Sequence, residues 1–305
     1  MGEVKDSGVL IRDVETKNIM TKSTLPVGGY SVNPYVGCTH GCKYCYASFM
    51  KRFTGHTEPW GIFLDVKHWP PIKNPQKYQG QRVVIGSVTD GYLPQEEQFG
   101  NTRRLLEQLK GSGAEILICT KSDLVMRDID LLKELGKVTV SWSINTLDEN
   151  FKNDMDYAAS IKRRLYAMKQ VYDAGIRTVC FIAPVFPGIT DFEAIFRRVK
   201  DQCDLVWLEN LNLRGGFKKD ILDYIQGKYP GLMPLYDAIY HRGDRSYFRG
   251  LEEQAARLAR EYSCPFVDNE LPYGRAEPGH PVIVDYFYHE EVRGSENTGQ
   301  RNQTK

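Results

Sequence analysis

The chain has 305 residues, with 40 Lys and Arg against 39 Asp and Glu and a formal net charge of +1. Hydrophobic residues make up 41% and charged residues 26%, a globular mix with enough apolar side chains for a sizeable core. The near-neutral balance excludes a nucleic-acid or membrane-surface binder held by bulk charge, though not a local basic patch, and no window of ~18 apolar residues offers a membrane span. Met1–Asp6 carries two acids and no apolar stretch, so no secretory signal is expected. The seven cysteines are then expected in a reducing cytoplasm. Their number is odd and three fall within eight residues, which points to metal binding before disulfides.

Residues 1–30 read as an irregular or short-stranded lead-in. A repeating order follows: a β-branched run, a loop, then a helical pattern. The runs predict strands at Ser31–Val36, Arg82–Val88, Glu115–Cys119, Val138–Ile144, Thr178–Val185 and Leu205–Leu211. Helices are predicted at Lys43–Phe53, Glu96–Lys110, Asp128–Leu135, Ile161–Asp173 and Asp191–Lys200. Alternating strands and helices imply parallel strands with right-handed crossovers. The six units over 31–212 predict an α/β fold, a partial (β/α)6 TIM-type barrel two units short of closure. Beyond it, Phe217–Gln226, Leu232–His241 and Ser246–Tyr262 look helical, and Pro265–Asp268 and Pro281–Tyr286 look like short strands. This is expected to be a mixed, mainly helical C-terminal extension over 213–292. The polar tail 293–305 is expected to be disordered.

The segment NPYVGCTHGCKYCYA holds Cys38, Cys42 and Cys45 at C-x3-C-x2-C spacing. Three thiolates this close can converge on one soft metal centre, one ligand short of the four-thiolate shell of an iron–sulfur cube. Three readings stay open. A structural zinc would be completed by His40 or His56. An electron-transfer cluster would find its fourth ligand elsewhere. A catalytic cluster would leave one iron to an exogenous ligand. The motif follows the first predicted strand, and barrel active sites gather at C-terminal strand ends, which favours the last. No later C-x2-C pair suggests a second cluster, and Cys119, Cys180, Cys203 and Cys264 read as small buried hydrophobes.

The C-x3-C-x2-C motif, with Tyr44 just before its third cysteine, resembles the signature of the radical S-adenosylmethionine (SAM) superfamily. YSVNPYVGCTHGCKYCYA and the later SVTDGYLPQEE resemble the spore photoproduct lyase-like branch, over roughly residues 15–215. The whole chain is similar to the group called radical SAM mobile pair protein B. The resemblance implies an enzyme that binds a [4Fe–4S] cluster through Cys38, Cys42 and Cys45. It would cleave SAM reductively to a 5′-deoxyadenosyl radical and abstract hydrogen from a substrate, either nucleic acid or a peptide or small molecule. It further implies an external electron donor of flavodoxin or ferredoxin type, anaerobic work in the cytoplasm, and a second radical SAM protein encoded alongside. The rival expectation is an iron–sulfur redox sensor or binding protein without SAM turnover.

Carried onto this sequence, the resemblance sets Tyr44 beside the adenine. Ser87, Thr89 and Asp90 meet the methionine ammonium, and Lys121 and Ser143 meet its carboxylate. Strand alternation puts Thr139, Ser141, Ser143 and Asn145 on one face of the fourth strand. Glu209 and Asn212 read either as substrate contacts or as turn and capping residues. The loop Arg214–Lys219 reads either as a phosphate holder or as a solvated loop. Asp191 reads as a helix cap. The pairs Arg103–Arg104, Arg163–Arg164 and Arg197–Arg198 read as solvated, and His280 and His289 carry no assignment. One departure matters. The lyases keep a hydrogen-donating cysteine three residues before the aspartate of the second-strand motif, and here Ser87 stands there. A serine O–H bond is too strong to donate readily, so SAM is expected to be a co-substrate.

Overall fold

A computed structural model describes residues 3–6, 8–23, 29–213, 215–267 and 282–285. The tail 293–305, Arg214, His280 and His289 lie outside these residues. The six barrel strands are β1 (Tyr30–Val32), β2 (Arg82–Ile85), β3 (Glu115–Thr120), β4 (Val138–Ser143), β5 (Arg177–Val185) and β6 (Leu205–Asn210). They lie side by side in chain order and pair parallel throughout. Thr21–Lys22 adds to β1 antiparallel. Val282–Asp285 adds to β6 in parallel, followed by Phe266–Val267. The architecture is the expected partial barrel with a helical extension, and the extension returns two strands to the barrel sheet.

Alternation sorts the barrel residues. Val83, Ile85, Ile116, Ile118, Val140, Trp142, Cys180, Ile182, Val206 and Leu208 pack outward against the helices. Val84, Leu117, Val179, Leu205 and Trp207 fill the inside, with Cys119 and Phe181 against them. Helix Ile161–Asp173 spans the predicted residues, capped by the Ser160 hydroxyl, which accepts from the Arg163 N–H. Its Ile161, Leu165, Met168 and Val171 are buried in the outer core, each contributing about 1.5–3 kcal/mol of transfer free energy. Asp191 caps helix Phe192–Val199 by accepting from the Ala194 N–H, as expected. Helix Ser246–Glu261 inserts Leu251, Ala255 and Leu258 into the same core. Helices Phe217–Lys228 and Met233–Tyr240 build a second core with Tyr44, Phe151 and Phe186, and so back the cysteine loop. Among the described residues, no helix is long and apolar enough to cross a membrane.

Local physics overrides the sequence reading in several places. The strand expected over Ser31–Val36 breaks at Asn33–Pro34, because proline has no N–H for the ladder. Tyr35–Val36 joins a second sheet with Phe63–His68, Val9–Glu15 and Glu3–Asp6. Of the two readings of the lead-in, the short-stranded one matches these elements. The helix expected over Lys43–Phe53 is a 3₁₀ stretch, Tyr46–Phe53, because residues up to Cys45 are held in turns. The helix expected over Glu96–Lys110 divides at Gly100, whose φ of 63° is left-handed. The segment Asp128–Leu135 is α-helical from Ile129, with a 3₁₀ turn Leu124–Asp128 before it. An unpredicted helix, Glu149–Met155, is capped by Asp148.

Candidate functional site

The cysteine loop leaves the small sheet at Val36 and turns back on itself. Gly37 takes φ 87°, and a Cβ there would stand 2.4 Å from the Phe63 carbonyl oxygen. The Gly41 N–H donates to the Cys38 carbonyl and the Cys45 N–H to the Cys42 carbonyl, both at 3.1 Å. The Lys43 N–H donates to Met155 O at 2.9 Å, tying the loop to Glu149–Met155. Burial pushes the Cys38 thiol well up, and Cys42 and Cys45 push it further, so the three sulfurs share one electrostatic neighbourhood. Burial lifts Cys42 to about 12, with Lys121 pulling it down. Burial also raises Cys45, against the Ala47 N–H, Lys121 and the Trp60 indole N–H. Such thiols stay protonated until a metal displaces the proton. Among the described residues, no three Cys, His, Asp or Glu side chains close round a single ion. A cube spreads one thiolate to each of three irons, and this soft three-thiol set, with Cys38 buried and Cys42 and Cys45 half-buried beside N–H groups and a cation, fits it.

Asp90, just past β2, ties the loop to the strand ends. Its Oδ1 accepts from Tyr92 N–H and Thr120 Oγ1, both at 2.8 Å. Its Oδ2 accepts from Lys121 N–H at 2.7 Å and lies 3.0 Å from His40 Nε2. Burial pushes this carboxyl up, but His40 and the backbone N–H groups outweigh it and leave it below the usual range. Both oxygens are thus engaged by the protein. Ser87 is similarly placed, its Oγ 2.8 Å from Ser31 Oγ and 3.2 Å from Asn33 Nδ2.

Behind the loop lies a charged network that the sequence reading missed. Arg164 is fully buried rather than solvated: its helix period puts it on the same face as Ile161, Leu165 and Met168. It donates to Asp156 Oδ1 at 2.7 Å, Ala159 O at 2.8 Å and Ser143 O at 3.0 Å. The Tyr44 hydroxyl donates to Asp156 Oδ2 at 3.2 Å, and its ring meets Phe186 edge-on at 5.5 Å. The Lys121 ammonium stands 5.6 Å over the Tyr44 ring. Burial works against that charge, while Cys42, Asp156 and Asp90 sustain it. Of the other pairs, Arg103 bridges Asp128 and Asp130, Arg104 lies 3.8 Å over Trp69, and Arg197 pairs with Glu193 and Glu261.

Several expected contacts therefore converge at the C-terminal edge of the barrel: Tyr44, Ser87, Asp90 and Lys121 round the cysteines. Ser143 is half-buried at the end of β4, on the inward face. Buried polar atoms nearby with no partner among the described residues include His40 Nδ1 in the cysteine loop, Thr89 Oγ1 beyond β2, Ser141 Oγ in β4 and Asn145 Nδ2 beyond it. Unpaired polar atoms cost free energy unless a ligand meets them. Cys119 also faces the inside, unlike Cys180, Cys203 and Cys264 in the outer core.

The family model for the radical SAM superfamily matches residues 32–199. Over 226 residues the chain is 33% identical to an uncharacterized protein of Methanocaldococcus jannaschii, covering 74% of this chain and 86% of that one. It is 27% identical over 187 residues to a radical SAM Nα-GlyT isomerase of Pseudomonas phage M6, covering 58% of this chain and 36% of the isomerase. Spore photoproduct lyase, complexed with a dinucleoside spore photoproduct, superposes with a TM-score of 0.53 at 18% identity, covering 72% of this chain and 66% of that one. SuiB of Streptococcus suis, bound to precursor peptide SuiA, gives 0.54 at 14% identity, covering 90% and 52%. At these identities the structural likeness is one of fold.

Proposed function

The chain belongs to the radical SAM superfamily and is an enzyme of that class, and from this we propose that Cys38, Cys42 and Cys45 hold a [4Fe–4S] cluster beside which SAM is cleaved as a co-substrate. Held there, the cluster and SAM would supply the hydrogen-abstracting radical chemistry of the class. The residues of this chain bind, orient and shield. Lys121 offers its ammonium to the methionine carboxylate, with Ser143 on the inward face of β4 alongside. Thr89 and Ser87 offer hydroxyls to the other end of the amino acid. Asp90 contributes its charge while its Oδ2 holds His40 and the Lys121 backbone and its Oδ1 holds Tyr92 and Thr120 in place. Tyr44, pinned by Asp156, flanks the adenine. The observation that carries this reading is the gathering of Cys38, buried, with Cys42 and Cys45, half-buried, in one electrostatic neighbourhood, where Lys121 stands beside the last two.

We assign the cleavage machinery to 31–212, with 1–30 as its lead-in and 213–292 as an extension that backs it. The reductant is a flavodoxin- or ferredoxin-like protein, the setting an anaerobic cytoplasm, and a second radical SAM protein encoded alongside is a candidate partner. The substrate is either a nucleic acid or a peptide or small molecule. The test is anaerobic reconstitution followed by reduction with SAM. About four irons per chain and release of 5′-deoxyadenosine are expected, with cleavage lost in each single Cys→Ala variant. Zinc in the anaerobically isolated protein would refute the cluster. Four irons without SAM cleavage would make the chain a redox sensor or binding protein instead.

A further inference from the structure

Immediately after Cys45 the 3₁₀ stretch Tyr46–Phe53 presents an unusual surface. Tyr46 is 58% exposed, Phe49 43% and Phe53 69%. Large aromatic faces in water carry a solvation penalty that a binding partner removes. The Arg52 guanidinium lies within cation–π reach of two of them, 5.3 Å from the Phe49 centroid and 5.2 Å from that of Phe53, and its Nε donates to Phe49 O at 3.2 Å. From Cys38 to Thr57 the sequence has Lys43, Lys51 and Arg52 and no Asp or Glu. A near-neutral chain thus concentrates positive charge here.

The surface is continuous with the barrel mouth. The Tyr46 hydroxyl donates to the Ser87 carbonyl just past β2. Although its ring is exposed, the hydroxyl end reaches inward, where burial and then Glu209, Cys119 and Cys45 push the phenol up. Whatever stacks on Phe49 and Phe53 is therefore led by Tyr46 to the edge where SAM is expected.

We propose that Tyr46–Phe53 is a stacking platform for a single-stranded nucleic acid, which delivers a nucleotide to the barrel mouth. Every base offers a π-face, and three cations within a stretch of sequence that holds no acid match a polyanion, so the platform grips a strand without reading its sequence. The proposal rests on the barrel mouth being the reaction site and adds the substrate class.

The test is fluorescence anisotropy of a labelled 12-nucleotide oligothymidylate with the full chain, reconstituted anaerobically. Phe49→Ala with Phe53→Ala should weaken binding roughly 5- to 100-fold, the loss of one stacked base. Phe53→Trp should retain affinity, and a duplex of equal length should bind less tightly. With three cations on phosphates, the slope of log affinity against log salt should be about −2, and Arg52→Gln should flatten it by about 0.7. Absence of binding up to ~100 μM, the weak end of non-specific affinities, would overturn the proposal. So would equal affinity in the double variant, judged against an unchanged thermal midpoint. If that variant instead loses its complex with a reduced flavodoxin while keeping the oligonucleotide, the surface is a reductant dock and the proposal fails. SAM cleavage by the unmodified chain is measured in parallel. Its absence both with and without oligonucleotide, alongside intact binding, would refute the cleavage reading and reduce this one to a binding platform with no reaction behind it.

Discussion

Replacing Arg164 by Met tests the network behind the cysteine loop. The methionine fills the volume of the arginine stem, so the change removes charge and donors with little cavity. It strips Asp156 of its 2.7 Å partner and leaves the carbonyls of Ala159 and Ser143 without theirs. Asp156 keeps the Tyr44 hydroxyl and the Ala158 N–H, with the Lys152 ammonium 3.5 Å away. Breaking a buried pair from one side costs about 3–5 kcal/mol. For 305 residues, with roughly 2.1 cal/mol/K of unfolding entropy per residue, the midpoint should fall by about 5–8 °C. Burial pushes the Asp156 carboxyl up, while Arg164, Lys121 and Lys152 hold it below the usual range. In the native chain its contribution is therefore present above the unfolded value of ~3.9 and lost as pH falls through the lower folded value. In the variant, burial meets less opposition and the carboxyl rises. The deficit should be largest near neutrality and shrink as pH falls toward ~4. Denaturant melts across pH measure this, and adding Asp156→Asn should recover part of the loss. A deficit under ~1 kcal/mol at pH 7, or one that grows on acidification, would refute the reasoning.

Three further outcomes are expected. Lys121→Met should weaken SAM binding about ten- to a hundredfold, as read by titration of the cluster spectrum, while iron content stays near that of the parent. Gly37→Ala forces a Cβ to 2.4 Å from the Phe63 carbonyl at a left-handed φ, so reconstituted iron should drop well below that of the parent even where the chain folds. With Ser87 in place of a thiol donor, deuterium from a substrate labelled at the reacting carbon should accumulate in 5′-deoxyadenosine. Return of label to SAM during turnover would show that the cofactor is regenerated.

The barrel strands were legible because each is a β-branched run with its own flanking helix. The small sheet was not, because its main ladder joins Val9–Glu15 to Phe63–His68, some fifty residues apart, with no local signal. Helical composition over Lys43–Phe53 was misleading: presenting three sulfurs requires turns, and that tertiary demand overrides propensity. At the site, the cysteines were readable from spacing, and Tyr44 and Lys121 only through the family likeness. Arg164 was missed although its i+3 offset from Ile161 placed it on the buried stripe; its neighbour Arg163, 65% exposed, made the pair look solvated. Asp156 lies just past an unpredicted helix. His40 was weighed only as a zinc ligand, whereas it binds Asp90.

The parallel pairing of Leu205–Leu208 with Val282–Asp285 sets an order of assembly. The other neighbour of β6, β5, is synthesised before it, but this one is still about 77 residues away. At roughly 5–20 residues per second, that edge of β6 waits about 4–15 seconds for its last strand. During that interval its N–H and C=O groups form an open template, the kind of edge through which nascent chains pair with one another. A chain cut before Val282 would keep that edge exposed permanently. Its cysteine loop would be intact, so self-association rather than loss of metal would be its first defect.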